Sequence, residues 1–310
     1  MQPVLRPDLP SAEELLPYLK TIEANAWATN NGPLVRKLEA ALGGICVSSA
    51  TLGLELAIRF TFRQGEVRIP ALTFPATATA VIRAGLEPVL CDVDQDTWAI
   101  GPDERTLAVS PFGYPAHGPL VDAAGAYGIQ TTGDRVISLH ATKPLPAGEG
   151  GFVCGSSALL DYVAEQRAFG MRHGEVIEAG TNAKLSEYHA AVGLASLARY
   201  DAVKAKRERV AARYHANLDD QFYVREYLGG TMLPVLVDDP HATLHRLHRA
   251  GYEARRWYYP TLEQHHAFHR CKREPLPVTH YLASHLLCLP FHTFLSDSDV
   301  DRVSEVVCST

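Results

Sequence analysis

The sequence is poor in the features that mark specialised classes of protein. Its 310 residues include six cysteines, none in a CxxC pair, and the closest two, Cys271 and Cys288, stand 17 residues apart. That spacing excludes a thioredoxin-like motif, paired-cysteine zinc sites and a disulfide-stapled mini-domain. Most of the cysteines lie in apolar runs such as Val89-Leu-Cys-Asp-Val93, where a reduced cysteine behaves as a small hydrophobe. No run of about 18 apolar residues is present. Met1-Gln-Pro-Val-Leu-Arg6 lacks the apolar core of a leader peptide, so neither a membrane span nor a leader is expected. An excess of positive charge is missing too: Lys plus Arg is 29 against 35 for Asp plus Glu, a net charge of -6. The one basic stretch, Lys204 to Arg213, alternates with Ala and Val at helical spacing, which reads as a solvated helix face. No nucleic-acid partner is expected. What is present, 46% apolar and 21% charged residues, suffices for a large core. The expectation is a cytoplasmic protein without a membrane partner.

Short β-rich runs recur at Ile45–Val47, Val67–Ile69, Val89–Cys91, Leu107–Val109, Leu120–Val121, Val136–Leu139 and Phe152–Cys154, with helical segments at 52–63 and 75–85 between the earlier ones. Alternating strand and helix argues for a mostly parallel sheet covered on both faces. Ser11-Ala-Glu-Glu14 has the form of a capping box and opens the first of two helices over residues 11–42. Between the runs at 107–109 and 120–121 there is no room for a regular crossover. Phe112-Gly-Tyr-Pro-Ala-His-Gly-Pro119, with two Gly and two Pro, predicts an irregular loop. From Tyr188 to about Asn217 the pattern predicts one long helix or a kinked pair. Beyond it strand (232–237), helix (241–250) and a helix from Ser296 follow in α+β fashion. A boundary near residue 200 would therefore separate a large domain, 1–200, from a smaller one, 201–310.

The most informative segment is Ser138-Leu-His-Ala-Thr-Lys143 followed by Gly148-Glu-Gly-Gly151. A lysine at the end of a rigid strand, beside a glycine-rich turn, is what a Schiff base requires. An exposed lysine after an edge strand would look the same. Asp122 ends another strand, where parallel α/β sheets place their ligands. It could partner a pyridine nitrogen, or simply cap a helix. Ser48-Ser-Ala-Thr51 joins a strand to a helix and can form an anion site or an ordinary cap. Three histidines at 241, 245 and 248, and three at 265, 266 and 269, lack paired carboxylates or cysteines, and no metal site is expected.

Taken in order, these segments resemble the fold-type I, pyridoxal-phosphate-dependent sugar aminotransferases related to DegT and StrS. The matching residues are Asn30–Pro33, Ser49–Thr51, Ile69-Pro-Ala-Leu-Thr-Phe74, Cys91-Asp-Val-Asp94, Asp122-Ala-Ala124, Ser138–Lys143 and Gly148–Gly151. They continue with Gly180-Thr-Asn-Ala-Lys-Leu-Ser-Glu187, Ala254-Arg-Arg-Trp-Tyr-Tyr-Pro260 and Leu287-Cys-Leu-Pro290. The resemblance implies a mostly parallel seven-stranded sheet flanked by helices, with a smaller α+β C-terminal domain. It implies pyridoxal 5'-phosphate joined to Lys143 as the internal aldimine, with Asp122 as the partner of the ring nitrogen. Thr51, the Ala50 backbone and Ser138 match phosphate contacts, and Phe74 matches the aromatic that stacks on the ring. Asn182 matches an asparagine reaching the phosphate from the other subunit of a homodimer with shared sites. The implied reaction is ping-pong, from glutamate or glutamine to the keto group of a nucleotide-linked deoxysugar. An aminocyclitol aminotransferase, a sugar dehydratase and a non-catalytic sugar-nucleotide-binding relative remain alternatives, although dehydratases of this kind carry histidine in place of Lys143. Two positions depart from the pattern. Ala50 stands where glycine is usual, and Gly125 stands where Gln or His commonly reaches the ring hydroxyl of the cofactor.

Overall fold

The computed structural model describes residues 1–218, 222–224 and 226–309. Its centre is a sheet built from β1 (Ile45–Val47), β2 (Glu66–Pro70), β3 (Glu87–Cys91), β4 (Leu107–Val109), β5 (His117–Asp122), β6 (Thr132–Ser138) and β7 (Gly151–Cys154). Five of these run in the order β1-β7-β6-β5-β4, and β2 pairs with β3 beside them. A parallel bridge between Arg68 and Thr106 links β2 to the segment entering β4, so the seven strands form one surface. β4, β5 and β6 are parallel, as are β2 and β3, while β7 is antiparallel to both β6 and β1. The mostly parallel seven-stranded sheet expected from the resemblance is borne out. An eighth, two-residue strand, Lys272–Arg273, adds to the outer edge of β3.

Alternation of side chains across the pleat explains why both faces are covered. Val121, Ile137, Phe152 and Cys154 point into one core with Leu34, Leu38 and Ala190. Their neighbours Leu120, Val136 and Val153 point into the opposite core with Leu54, Ala57 and Val81. The first core is roofed by α1 (Ala12–Asn25) and α2 (Pro33–Leu42), and the second by α3 (Ala50–Phe62), α4 (Pro75–Arg83) and α5 (Ser157–Gln166). The Ser11 capping box forms as read, with the Ser11 and Glu14 side chains each accepting from the other's backbone N–H. Two motifs that are far apart in sequence meet at the start of α2. The carboxylate of the fully buried Glu187 accepts the N–H groups of Leu34 (2.7 Å) and Val35 (2.8 Å), satisfying a helix N-terminus that has no side-chain cap of its own.

The chain crosses from β4 to β5 through residues 110–116 alone, as an irregular loop with a 3-10 turn at Pro111–Gly113 and Phe112 at φ 55°. The helical stretch after Ser186 is the kinked pair, α6 (Glu187–Ala198) and α7 (Tyr200–Asn217), broken at Arg199. A separate antiparallel sheet pairs the strand Leu233–Leu236 with both the strand Tyr223–Val224 and the strand Leu286–Leu289. It packs against α7, the helix Pro240–Arg249 and the terminal helix Asp297–Cys308. Among the described residues no helix is long and apolar enough to cross a membrane.

Candidate active site

The C-terminal ends of β5 and β6 and the N-terminus of α3 open into one cavity of about 540 Å³. Ala50, Thr51, Phe74, Asp122, Ser138 and Lys143 all line it. Asn182 does not. It lies exposed on a segment bridged to Ala168, with its Oδ1 accepting from Lys184 Nζ at 2.6 Å.

Asp122 is the last residue of β5, and its side chain is buried. No helix follows it, so the reading of Asp122 as a helix cap fails. Thr77 Oγ1 on α4 donates to Asp122 Oδ2 at 2.8 Å, and the Ala124 N–H donates to Oδ1 at 3.2 Å. Thr73 Oγ1 in turn contacts Thr77 Oγ1 at 3.1 Å. Burial pushes the Asp122 carboxyl above its ordinary range, and the two donors and the Lys143 charge pull it back.

Lys143 differs from the sequence expectation in one respect. β6 ends at Ser138, and the lysine sits five residues later on a turn, not at the strand end. β6 loses its sheet partner there, because the ladder to β7 stops at the Ser138–Gly151 pair. The turn is braced nonetheless: Leu139 N–H donates to Gly150 C=O, Ala141 N–H to Gly148 C=O, and Lys143 N–H to His140 C=O, at 2.8–3.0 Å. Burial lowers the affinity of the Lys143 amine for its proton, and the Asp122 carboxylate opposes that. A neutral, positioned amine is the nucleophile that a carbonyl needs.

At the other end of the cavity Ser49 caps α3, accepting from the Leu52 N–H at 3.2 Å. The Ala50 and Thr51 N–H groups, in the first turn, have no intrahelical acceptor, and both residues line the cavity, an arrangement suited to an anion. The cap forms at Ser49 and leaves the two N–H groups beyond it uncommitted within the helix. Gly151 makes the geometry possible. A Cβ there would come within 2.7 Å of both N and Cα of Ala50, so only glycine lets β7 run against the start of the helix.

Sequence reasoning gave no role to Thr77, Tyr258 or Arg255. Tyr258 and Arg255 line the cavity from the 254–260 segment. Tyr258 stacks on Phe112, with centroids 5.2 Å apart. Thr77 was findable only as a hydroxyl one helical turn beyond Thr73. His140 also lines the cavity, with Nδ1 3.0 Å from Thr142 Oγ1 and Nε2 3.8 Å from Glu149 Oε1. Among the described residues no group of three His, Cys, Asp or Glu side chains is placed to hold a metal ion.

A sheet of this topology, with an amine, a buried carboxylate and a helix N-terminus around one cavity, is the arrangement of pyridoxal-phosphate-dependent enzymes. The chain belongs to the DegT/DnrJ/EryC1/StrS aminotransferase family, whose model matches residues 10–113 and 120–308. It is 28% identical to the dTDP-4-amino-4,6-dideoxy-D-glucose transaminase of Shigella dysenteriae, over 98% of this chain and 97% of that one. The crystal structure of DesI solved with its TDP-sugar product superposes with a TM-score of 0.91 at 29% identity, covering 99% of this chain and 92% of that one. The aminotransferase TlmJ of Streptoalloteichus hindustanus superposes with a TM-score of 0.82 at 26% identity, over 98% and 97% of the two chains.

The residues present fit pyridoxal phosphate. The α3 N-terminus suits its phosphate, the buried Asp122 carboxylate its ring nitrogen, and the Lys143 amine its carbonyl carbon. Phe74, 57% exposed at the cavity wall, offers a free aromatic face.

Because the neutral amine is the reactive form, capture of pyridoxal phosphate by the protein should speed up as pH rises. It should level off below the ordinary lysine value of about 10.4. Asp122→Asn removes the charge that raises the Lys143 value, so the plateau should arrive at still lower pH. Stopped-flow absorbance against pH reads both. A capture rate that climbs through the ordinary lysine range, or a plateau that moves upward in Asp122→Asn, would contradict the pairing.

Proposed function

We propose that this enzyme moves an amino group from glutamate or glutamine to the keto carbon of a nucleotide-linked deoxysugar. The observation that carries the reading is the meeting of Lys143 and Asp122 in one cavity with the open N-terminus of α3. The acceptor class is supported by the relatives, since one is named for a dTDP-aminodideoxyglucose and another was solved with a TDP-sugar.

When bound, pyridoxal phosphate supplies a carbonyl that joins to amines and a ring that accepts an electron pair. Lys143 would hold it covalently and give up that place to an incoming donor amine. Once freed, the Lys143 amine would be the base that takes the proton from the donor Cα and the acid that gives it back. Asp122 keeps a proton on the ring nitrogen throughout, which makes the ring an electron acceptor. The Ala50 and Thr51 backbone and Ser138 anchor the phosphate, and Phe74 packs on the ring face. Water would supply the keto oxygen as the donor leaves as its oxo acid, its nitrogen staying behind until the acceptor enters the same cavity, so the kinetics would be ping-pong. In this reading the chain divides near residue 200 into a cofactor-holding part and a smaller C-terminal part.

Incubation with glutamate or glutamine and a panel of TDP-linked ketosugars should yield the oxo acid and the aminosugar in equal amounts. Asp122→Asn should lower kcat by orders of magnitude with little change in cofactor binding. Release of oxo acid without any aminosugar, across the panel, would overturn the acceptor class. Full turnover by Asp122→Asn would overturn the role of Asp122.

Asn182 has no part in its own cavity, and we propose that it completes the phosphate site of a second copy in a homodimer. Mixing Lys143→Ala with Asn182→Trp, each inactive alone, should then restore roughly a quarter of the wild-type activity, because each mixed dimer has one intact site. If Asn182 serves its own chain, mixing restores nothing.

A further inference from the structure

The mechanism leaves one buried polar group in the cavity without a task. Ser110 is the first residue after β4, only 5% exposed, and it lines the cavity. Its Oγ has no hydrogen-bond partner among the described residues. A buried hydroxyl left unpaired costs stability, so its retention beside a ligand cavity points to a ligand. Its backbone N–H donates to the Asp122 C=O at 2.9 Å, which fixes it next to the carboxylate.

The sheet order says which part of the cofactor it meets. β6 and β4 flank β5 on opposite sides. The phosphate anchors, Ser138 on β6 and the α3 N-terminus against Gly151 of β7, all lie on one side of Asp122. In pyridoxal phosphate the phosphate arm and the phenolic oxygen sit on opposite edges of the line joining the ring nitrogen to the carbonyl carbon. With the nitrogen at Asp122 and the phosphate on the β6 side, the phenolic edge faces β4. Of the residues after β4 and β5 that line the cavity there, Val109, Ser110, Phe112, Gly113, Ala124 and Gly125, Ser110 alone has a polar side chain, and Tyr258, stacked on Phe112, is a second hydroxyl on that side. Gly125 has none to offer, and its carbonyl is packed against Gly113, where a Cβ would approach it to 2.9 Å.

We infer that the Ser110 hydroxyl donates a hydrogen bond to the phenolic oxygen of pyridoxal phosphate, a contact that Gly125 leaves to another residue. The inference rests on the reading that Lys143 and Asp122 hold the ring. A donor at the phenolic oxygen stabilises its negative charge, so the proton shared with the Lys143 linkage comes off more easily.

The test is the pH titration of the visible absorption band of the protein loaded with pyridoxal phosphate. Ser110→Ala, or Ser110→Gly if alanine is not accommodated, should raise the midpoint by about one pH unit, a tenfold change in proton affinity. Ser110→Thr, which keeps the hydroxyl, should leave it near the wild-type value. A midpoint unmoved in Ser110→Ala, or raised equally in Ser110→Thr, overturns the proposal. Lys143→Ala separates it from the reading beneath: if that variant keeps the same titrating band, the lysine assignment fails. If the band requires Lys143 and ignores Ser110, only the Ser110 contact fails.

Discussion

The rest of the site depends on keeping an amine and a carboxylate of opposite charge buried together at the floor of one cavity. Burial works against both, loosening the proton on Lys143 and tightening it on Asp122, while each charge resists the effect on the other. Water would dissolve that tension, and a full salt bridge would leave the lysine protonated and unreactive. The Thr77 hydroxyl and the Ala124 N–H hold the carboxylate, and the braced turn from Leu139 to Lys143 holds the amine. The result is a lysine and a carboxylate whose proton affinities are each shifted by burial, as the proposed roles of nucleophile and ring-nitrogen partner require.

The sheet supplies the precision. Asp122 and Ser138 end adjacent parallel strands, and the start of α3 is pulled against β7 through Gly151. Strand ends are rigid, so the functional groups need little reordering when a ligand arrives. The short crossover after β4 brings Phe112 and Gly113 directly onto the 125 and 230 loops and so walls the cavity on that side.

The strands were legible because each is a short apolar run between turn residues, and the alternation within them predicts two buried faces. The pairing order was not legible from periodicity, since local pattern says nothing about which strands meet. The resemblance supplied the strand number and the mostly parallel character of the sheet, but not the order. The position of Lys143 on a turn escaped the sequence because apolar Leu139 prolongs the β-like run of β6 past its last ladder partner. Thr77 and Ser110 escaped it for a different reason. Their importance comes from what lies across the sheet, and a hydroxyl within an ordinary helix or after a strand carries no local mark. The strand Lys272–Arg273 is hidden for the same cause, having two polar residues that pair with β3 from some 180 residues away.

The central claim, that Lys143 is the residue to which the cofactor is joined, has a direct chemical test. Borohydride reduction of the loaded protein, followed by peptide mapping, should find the pyridoxyl group on the peptide containing Lys143. A label on Lys184, which lies outside the cavity beside Asn182, or no label on any lysine, would contradict it.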